Sequence, residues 1–64
     1  MLKTTQYNRL RRAFEHHCVV TGLFSPYKAN VLIWLEASDA AKSCSSEERS
    51  KIVDYIWDHL WQLN

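Results

Sequence analysis

The stretch Ser25-Pro26-Tyr27-Lys28-Ala29-Asn30-Val31-Leu32-Ile33-Trp34-Leu35-Glu36 decides the fold. Serine followed by proline is a helix start signal, because the hydroxyl accepts from an orphan amide and the missing proline N–H is not needed in the first turn. Trp34, Tyr27, Val31 and Leu35 share one side of the wheel, while Leu32 and Ile33 point away from it in different directions. Only Lys28, Asn30, Glu36 and Asp39 interrupt the apolar surface. The expected helix spans residues 26–42, with Lys42 complementing the negative C-terminal end of the dipole. A helix apolar nearly all round is buried on more than one side.

Two more helices flank it. Residues 5–21 form the first, with Thr4 or Thr5 as N-cap and Gly22 in the left-handed position beyond the C-terminus. At about 100° per residue, Tyr7, Leu10, Phe14, His17, Cys18 and Thr21 fall on one arc. Arg9, Arg12 and His16 lie opposite, with Arg11 and Glu15 nearer the margin. Residues 46–63 form the third, opened by a capping box between Ser45 and Glu48. Its apolar side carries Ile52, Val53, Ile56, Trp57, Leu60, Trp61 and Leu63, about half of the wheel, where packing on one neighbour needs a stripe of roughly 100°. The expected fold is all-α: one domain over residues 1–64, with helices 2 and 3 as an antiparallel hairpin and helix 1 packed across them.

Size turns this pattern into a functional statement. The chain has 64 residues, 47% of them apolar, with three tryptophans, one glycine, one proline and two cysteines. A core that small rarely supplies more than about 3–5 kcal/mol unaided. Helices 2 and 3 carry more apolar surface than one such chain covers, and surplus of this kind marks an interaction site. The expectation is a two-fold homodimer, the commonest soluble oligomer, that buries Trp57, Trp61, Val53, Leu60, Ile33 and Leu32. A partner protein is the other occupant that this surface fits.

Other classes fare worse. Turn pairs such as Asn-Gly are absent, which excludes a hairpin-rich β fold. The longest apolar run, Val31–Leu35, is far short of a membrane span, and Met1–Arg12 has no apolar segment of a signal peptide. Glu15-His16-His17-Cys18 brings three kinds of zinc ligand together, but adjacent helical residues point about 100° apart and no ligand pair stands at four-residue spacing. No metal or cofactor is expected. Cys18 and His17 are neighbours in sequence only, and no nucleophile triad or glycine-rich phosphate loop appears, so no enzyme activity is expected. Net charge is +1, which gives no general attraction to nucleic acid. Arg9, Arg11 and Arg12 nevertheless form a basic patch, and nucleic-acid binding through these three is the alternative reading. Against it, helix 3 presents Asp54 and Asp58 where a recognition helix presents base-reading side chains. The plainer account of the arginines is a solvated face with one ion pair, Arg11 to Glu15.

In Tyr7-Asn8-Arg9-Leu10-Arg11-Arg12, in Val31-Leu32-Ile33-Trp34-Leu35-Glu36 and in Tyr55-Ile56-Trp57-Asp58-His59-Leu60-Trp61, the chain resembles the small helical early proteins of lambdoid bacteriophages. The resemblance covers the whole chain in size and character and carries no motif. It implies an accessory protein in the cytoplasm of an infected bacterium, one that biases development between lysis and lysogeny or engages host regulators. It assigns no site residues.

Overall fold

The fold was taken from a computed structural model, which describes residues 3–62. Those residues form three α-helices and one 3₁₀ turn, with no strand among them: α1 (Thr4–Thr21), α2 (Lys28–Glu36), the 3₁₀ turn Asp39–Ser43 and α3 (Ser46–Asp58). The all-helical expectation therefore holds, while four of the element boundaries move.

α1 closes as its sequence dictates. Gly22 sits at φ 76°. Its N–H donates to the Val19 carbonyl at 3.3 Å and the Leu23 N–H to the Cys18 carbonyl at 2.8 Å, the two bonds of a Schellman motif. Leu23 then packs on the core beside Cys18. A Cβ at Gly22 would meet nothing within 4 Å, so the cost of Gly22→Ala is purely conformational. The variant is expected to lose about 1 kcal/mol, read as a lower midpoint in urea at unchanged slope. The other end differs from expectation: Lys3 is the N-cap and Thr4 and Thr5 are already helical. The Lys3 N–H is satisfied by Gln6 Oε1 at 2.8 Å.

α2 is shorter than expected at both ends. It starts at Lys28, not at Pro26, because Asn30 reaches back and accepts the Tyr27 N–H at 2.7 Å, making Tyr27 the N-cap. Pro26 is buried ahead of the helix and Tyr27 is exposed, not part of the inner face. At the far end Ser38 adopts an extended conformation (φ −91°, ψ 158°) and its hydroxyl donates to the Leu35 carbonyl at 2.7 Å. Asp39 then opens the 3₁₀ turn at its positive end, 3.3 Å from Lys42. The Ser38 hydroxyl thus serves a carbonyl at the end of α2 and makes no side-chain cap bond to the turn that follows.

α3 begins at the expected capping box: the Ser45 hydroxyl accepts from the Glu48 N–H at 3.2 Å. It ends at Asp58, five residues before the expected limit at Leu63, which lies outside the described residues. An acidic residue opposes the negative end of the dipole, and no basic residue occupies the last turn.

α3 packs against both α1 and α2. The core is Phe14 and Cys18 from α1, Val31 and Leu35 from α2, and Ile52, Val53 and Ile56 from α3. Trp34 meets Phe14 edge-on at 5.4 Å, so Trp34 serves mainly as core, as its position on the wheel implied. Two neighbours for α3 explain why its wide apolar arc is better covered than expected.

Candidate functional site

Two features stand out: an apolar surface shared by α2 and α3, and a polar seam between α1 and α3. Four of the anticipated association residues are exposed on α2, on α3 or just past its end. Leu32 is 40% exposed, Ile33 63%, Trp57 37% and Trp61 44%. Two of the expected residues are not among them. Val53 is buried between α3 and α2, and Leu60 is half-buried against the core, because α3 is covered from two sides. Val53 forms the floor of the surface instead.

Leu32 and Val53 line one open groove between α2 and α3, of about 490 Å³. Lys28 and Asp54 close one part of it through an ion pair at 2.7 Å, and Glu36 and Arg49 line another part. The hydrogen bond to Asp54, and then its charge, push the Lys28 ammonium pKa up. The rim thus carries two cations and two carboxylates and is balanced in charge. Ile33 is about 100° from Leu32 around the helix and is not part of the groove lining. Phe24, Tyr27, Val19 and Val20 are also exposed and were not anticipated. For Tyr27 the signal was present in Asn30, three residues on, which marks the true N-cap.

The polar seam is centred on Arg11. Its side chain is 0% exposed, which overturns the reading of Arg11 as a nucleic-acid contact: no phosphate reaches it. The anticipated ion pair with Glu15 exists at 3.0 Å, but it is buried and not solvated. Arg11 Nη1 also donates to the carbonyls of Gln62 at 3.1 Å and His59 at 3.4 Å. These are carbonyls of the chain just past the end of α3, so Arg11 supplies the positive charge that the last turn lacks. Glu15 Oε2 accepts a second bond, from the Trp61 N–H at 2.6 Å. Trp61 has φ 65°, the only described residue besides Gly22 with positive φ. A left-handed tryptophan is costly and has to be held by its surroundings. Glu15 holds it, and so one carboxylate links the buried arginine to an exposed aromatic. Arg11 Nε and Nη2 are buried without a hydrogen-bond partner among the described residues.

Next along the seam the Tyr55 ring stacks on His59 at 4.1 Å and meets Tyr7 at 5.2 Å. The Tyr55 hydroxyl donates to Asn8 Oδ1 at 2.7 Å. His59 Nδ1 lies 2.9 Å from the Tyr55 carbonyl, which makes it the donor. Arg9 and Arg12 stay on the exposed side of α1, with His16.

Among the described residues no three His, Cys, Asp or Glu side chains come together to hold a metal. Burial, and then the Glu15 charge, push the Cys18 thiol pKa up, which disfavours the thiolate a nucleophile needs. No described helix is long and apolar enough to cross a membrane. No family model, no curated protein and no solved structure matches the chain.

Proposed function

We propose that the chain is a non-enzymatic interaction protein that pairs with a second copy of itself through the α2–α3 surface. One observation carries this reading. Among the described residues eight apolar side chains are buried and eight large ones are exposed, so the chain leaves outside about as many as it covers. Four of the exposed ones, Leu32, Ile33, Trp57 and Trp61, lie on α2, on α3 or just past it, and apolar side chains gathered in one region mark association where scattered ones do not. Leu32, Ile33, Trp57 and Trp61 are the proposed contact residues, with the tryptophans as anchors. Charge balance on the groove rim favours a second copy over a strongly charged partner. In a two-fold interface the same patch meets itself, and Lys28 and Arg49 of one protomer then have Asp54 and Glu36 available on the other. The reading takes α2 and α3 as an antiparallel pair, supported by the Lys28–Asp54 bond joining the start of one to the later turns of the other.

The regulatory part of the proposal is that the paired surface, or its edge, engages a protein of a bacterial host. The phage-accessory role in the host cytoplasm belongs to the same proposal. Sedimentation equilibrium at micromolar concentration tests the pairing. The expected mass is twice 7.6 kDa, and a 7.6 kDa species across the concentration range overturns it.

A further inference from the structure

Charge on this chain is segregated. Residues 1–14 hold Lys3, Arg9, Arg11 and Arg12 and no carboxylate, and the seven acids all lie from Glu15 onward. Four of the eight lysines and arginines have carboxylate partners. Arg11 is consumed by the seam, and Lys28, Lys42 and Lys51 sit 2.7, 3.3 and 3.6 Å from Asp54, Asp39 and Glu47. Arg9 makes no ion pair among the described residues.

Arg9 lines a cleft of about 340 Å³ on the exposed side of α1, together with Thr5, Asn8 and Arg12. Thr5 stands three and four residues before Asn8 and Arg9, and Arg12 four and three residues after them, which puts all four on one side of the helix. Each ends in an N–H or O–H donor, and no acid lines the cleft. Asn8 is oriented from behind. The Tyr55 hydroxyl occupies its Oδ1, so its Nδ2 hydrogens are the part left for a ligand. Tyr55 is in turn fixed between Tyr7 and His59. Arg12 has a further interaction of its own, so Arg9 is the anchor.

We propose that this cleft binds a phosphate group, with the Arg9 guanidinium as principal donor, Thr5 Oγ1 and Asn8 Nδ2 completing the cradle, and Arg12 adding positive charge at its edge. A guanidinium fork matches phosphate oxygens in both geometry and charge. The site is independent of the association surface and does not need Arg11. The same chemistry serves a free phosphate ion and the backbone of a nucleic acid, and two arms of one experiment separate them.

In the first arm, inorganic phosphate is titrated into the full chain and followed by amide and arginine Nε shifts in heteronuclear NMR. The expected shifts are confined to Thr5, Asn8, Arg9 and Arg12. Arg9→Gln is expected to weaken binding about tenfold, the effect of losing one charge-assisted donor. Lys51→Gln, in the Glu47-paired control position, should leave binding unchanged. In the second arm, a labelled DNA duplex is followed by anisotropy at rising salt. Duplex binding that falls with salt and with Arg9→Gln identifies the backbone as the source. Phosphate binding without duplex binding identifies a small phosphate ligand. Absent shifts, shifts spread over all the cations, or an unchanged Arg9→Gln overturn the site. Arg9 is exposed, so the variant is expected to fold, and its circular dichroism verifies this.

Discussion

Arg11→Ala is expected to destabilise the chain by about 3–5 kcal/mol, the cost of breaking a buried charge pair by removing one partner. That is as much as a core of this size supplies in total, so the variant should be largely unfolded. The effect has three sources in the structure. Glu15 is left as a charge at the seam without its counter-ion at 3.0 Å. The His59 and Gln62 carbonyls lose their donor. The volume of a fully buried arginine, among the largest in the interior, becomes a cavity. Glu15→Gln keeps the shape and removes the charge, and is expected at the lower end, about 3 kcal/mol. Arg9→Ala, two residues away and exposed, should stay within about 0.5 kcal/mol. Urea denaturation followed by far-ultraviolet circular dichroism measures all three. If Arg11→Ala is as stable as Arg9→Ala, the seam does not hold α1 to α3.

The contrast between Arg9 and Arg11 also shows what the sequence carries and what it does not. Local chemistry was legible wherever one or two residues satisfy the backbone by themselves. Gly22 closes α1 and Ser45 with Glu48 opens α3 as expected, because the partners are within a few residues and no tertiary contact competes. The main core followed from periodicity: Phe14, Cys18, Val31, Leu35, Ile52 and Ile56 all lie on expected apolar positions. Where two local signals compete, the sequence alone does not rank them. Ser25-Pro26 is a good start motif, yet Tyr27 with Asn30 provides a closed hydrogen bond while Pro26 gains more by burial. At Ser38-Asp39 no glycine or proline marks the break after α2. The depth of Arg11 was not legible at all. On the wheel it lies at the margin, and whether a margin becomes seam or surface depends on where α3 ends, 48 and 51 residues further along. The early stop of α3 and the burial of Arg11 are one event: carbonyls that leave a helix need donors, and the arginine is the donor. Of the association residues, four of six are exposed, and the two that are not, Val53 and Leu60, are those that a second neighbour covers.

Trp57→Ala and Trp61→Ala are each expected to weaken self-association by about 2 kcal/mol, roughly 30-fold in the dissociation constant. Both side chains are more than a third exposed, so neither truncation should remove the helical fold. The two anchors sit in different ways. Trp57 is one turn beyond Val53 on α3, beside the groove floor, and its backbone is fixed by the helix. Trp61 lies past the helix, held at φ 65° by its N–H bond to Glu15. A backbone already held in place loses less freedom on binding, which is the advantage of building a contact on a strained residue. Leu32→Ala and Ile33→Ala should cost under about 1 kcal/mol each, as aliphatic neighbours of an anchor usually do. The distinctive outcome concerns Glu15→Gln, a residue set in the seam and not among the contacts. In protein that remains folded, loosening the Trp61 backbone should weaken the dimer as well, while leaving the Trp57 contribution intact. Sedimentation velocity on the single and double variants separates these effects. Wild-type dimerisation in the Trp57→Ala/Trp61→Ala double variant would remove the tryptophans from the interface. An equal loss in all exposed apolar variants would mean non-specific adhesion in place of anchored pairing.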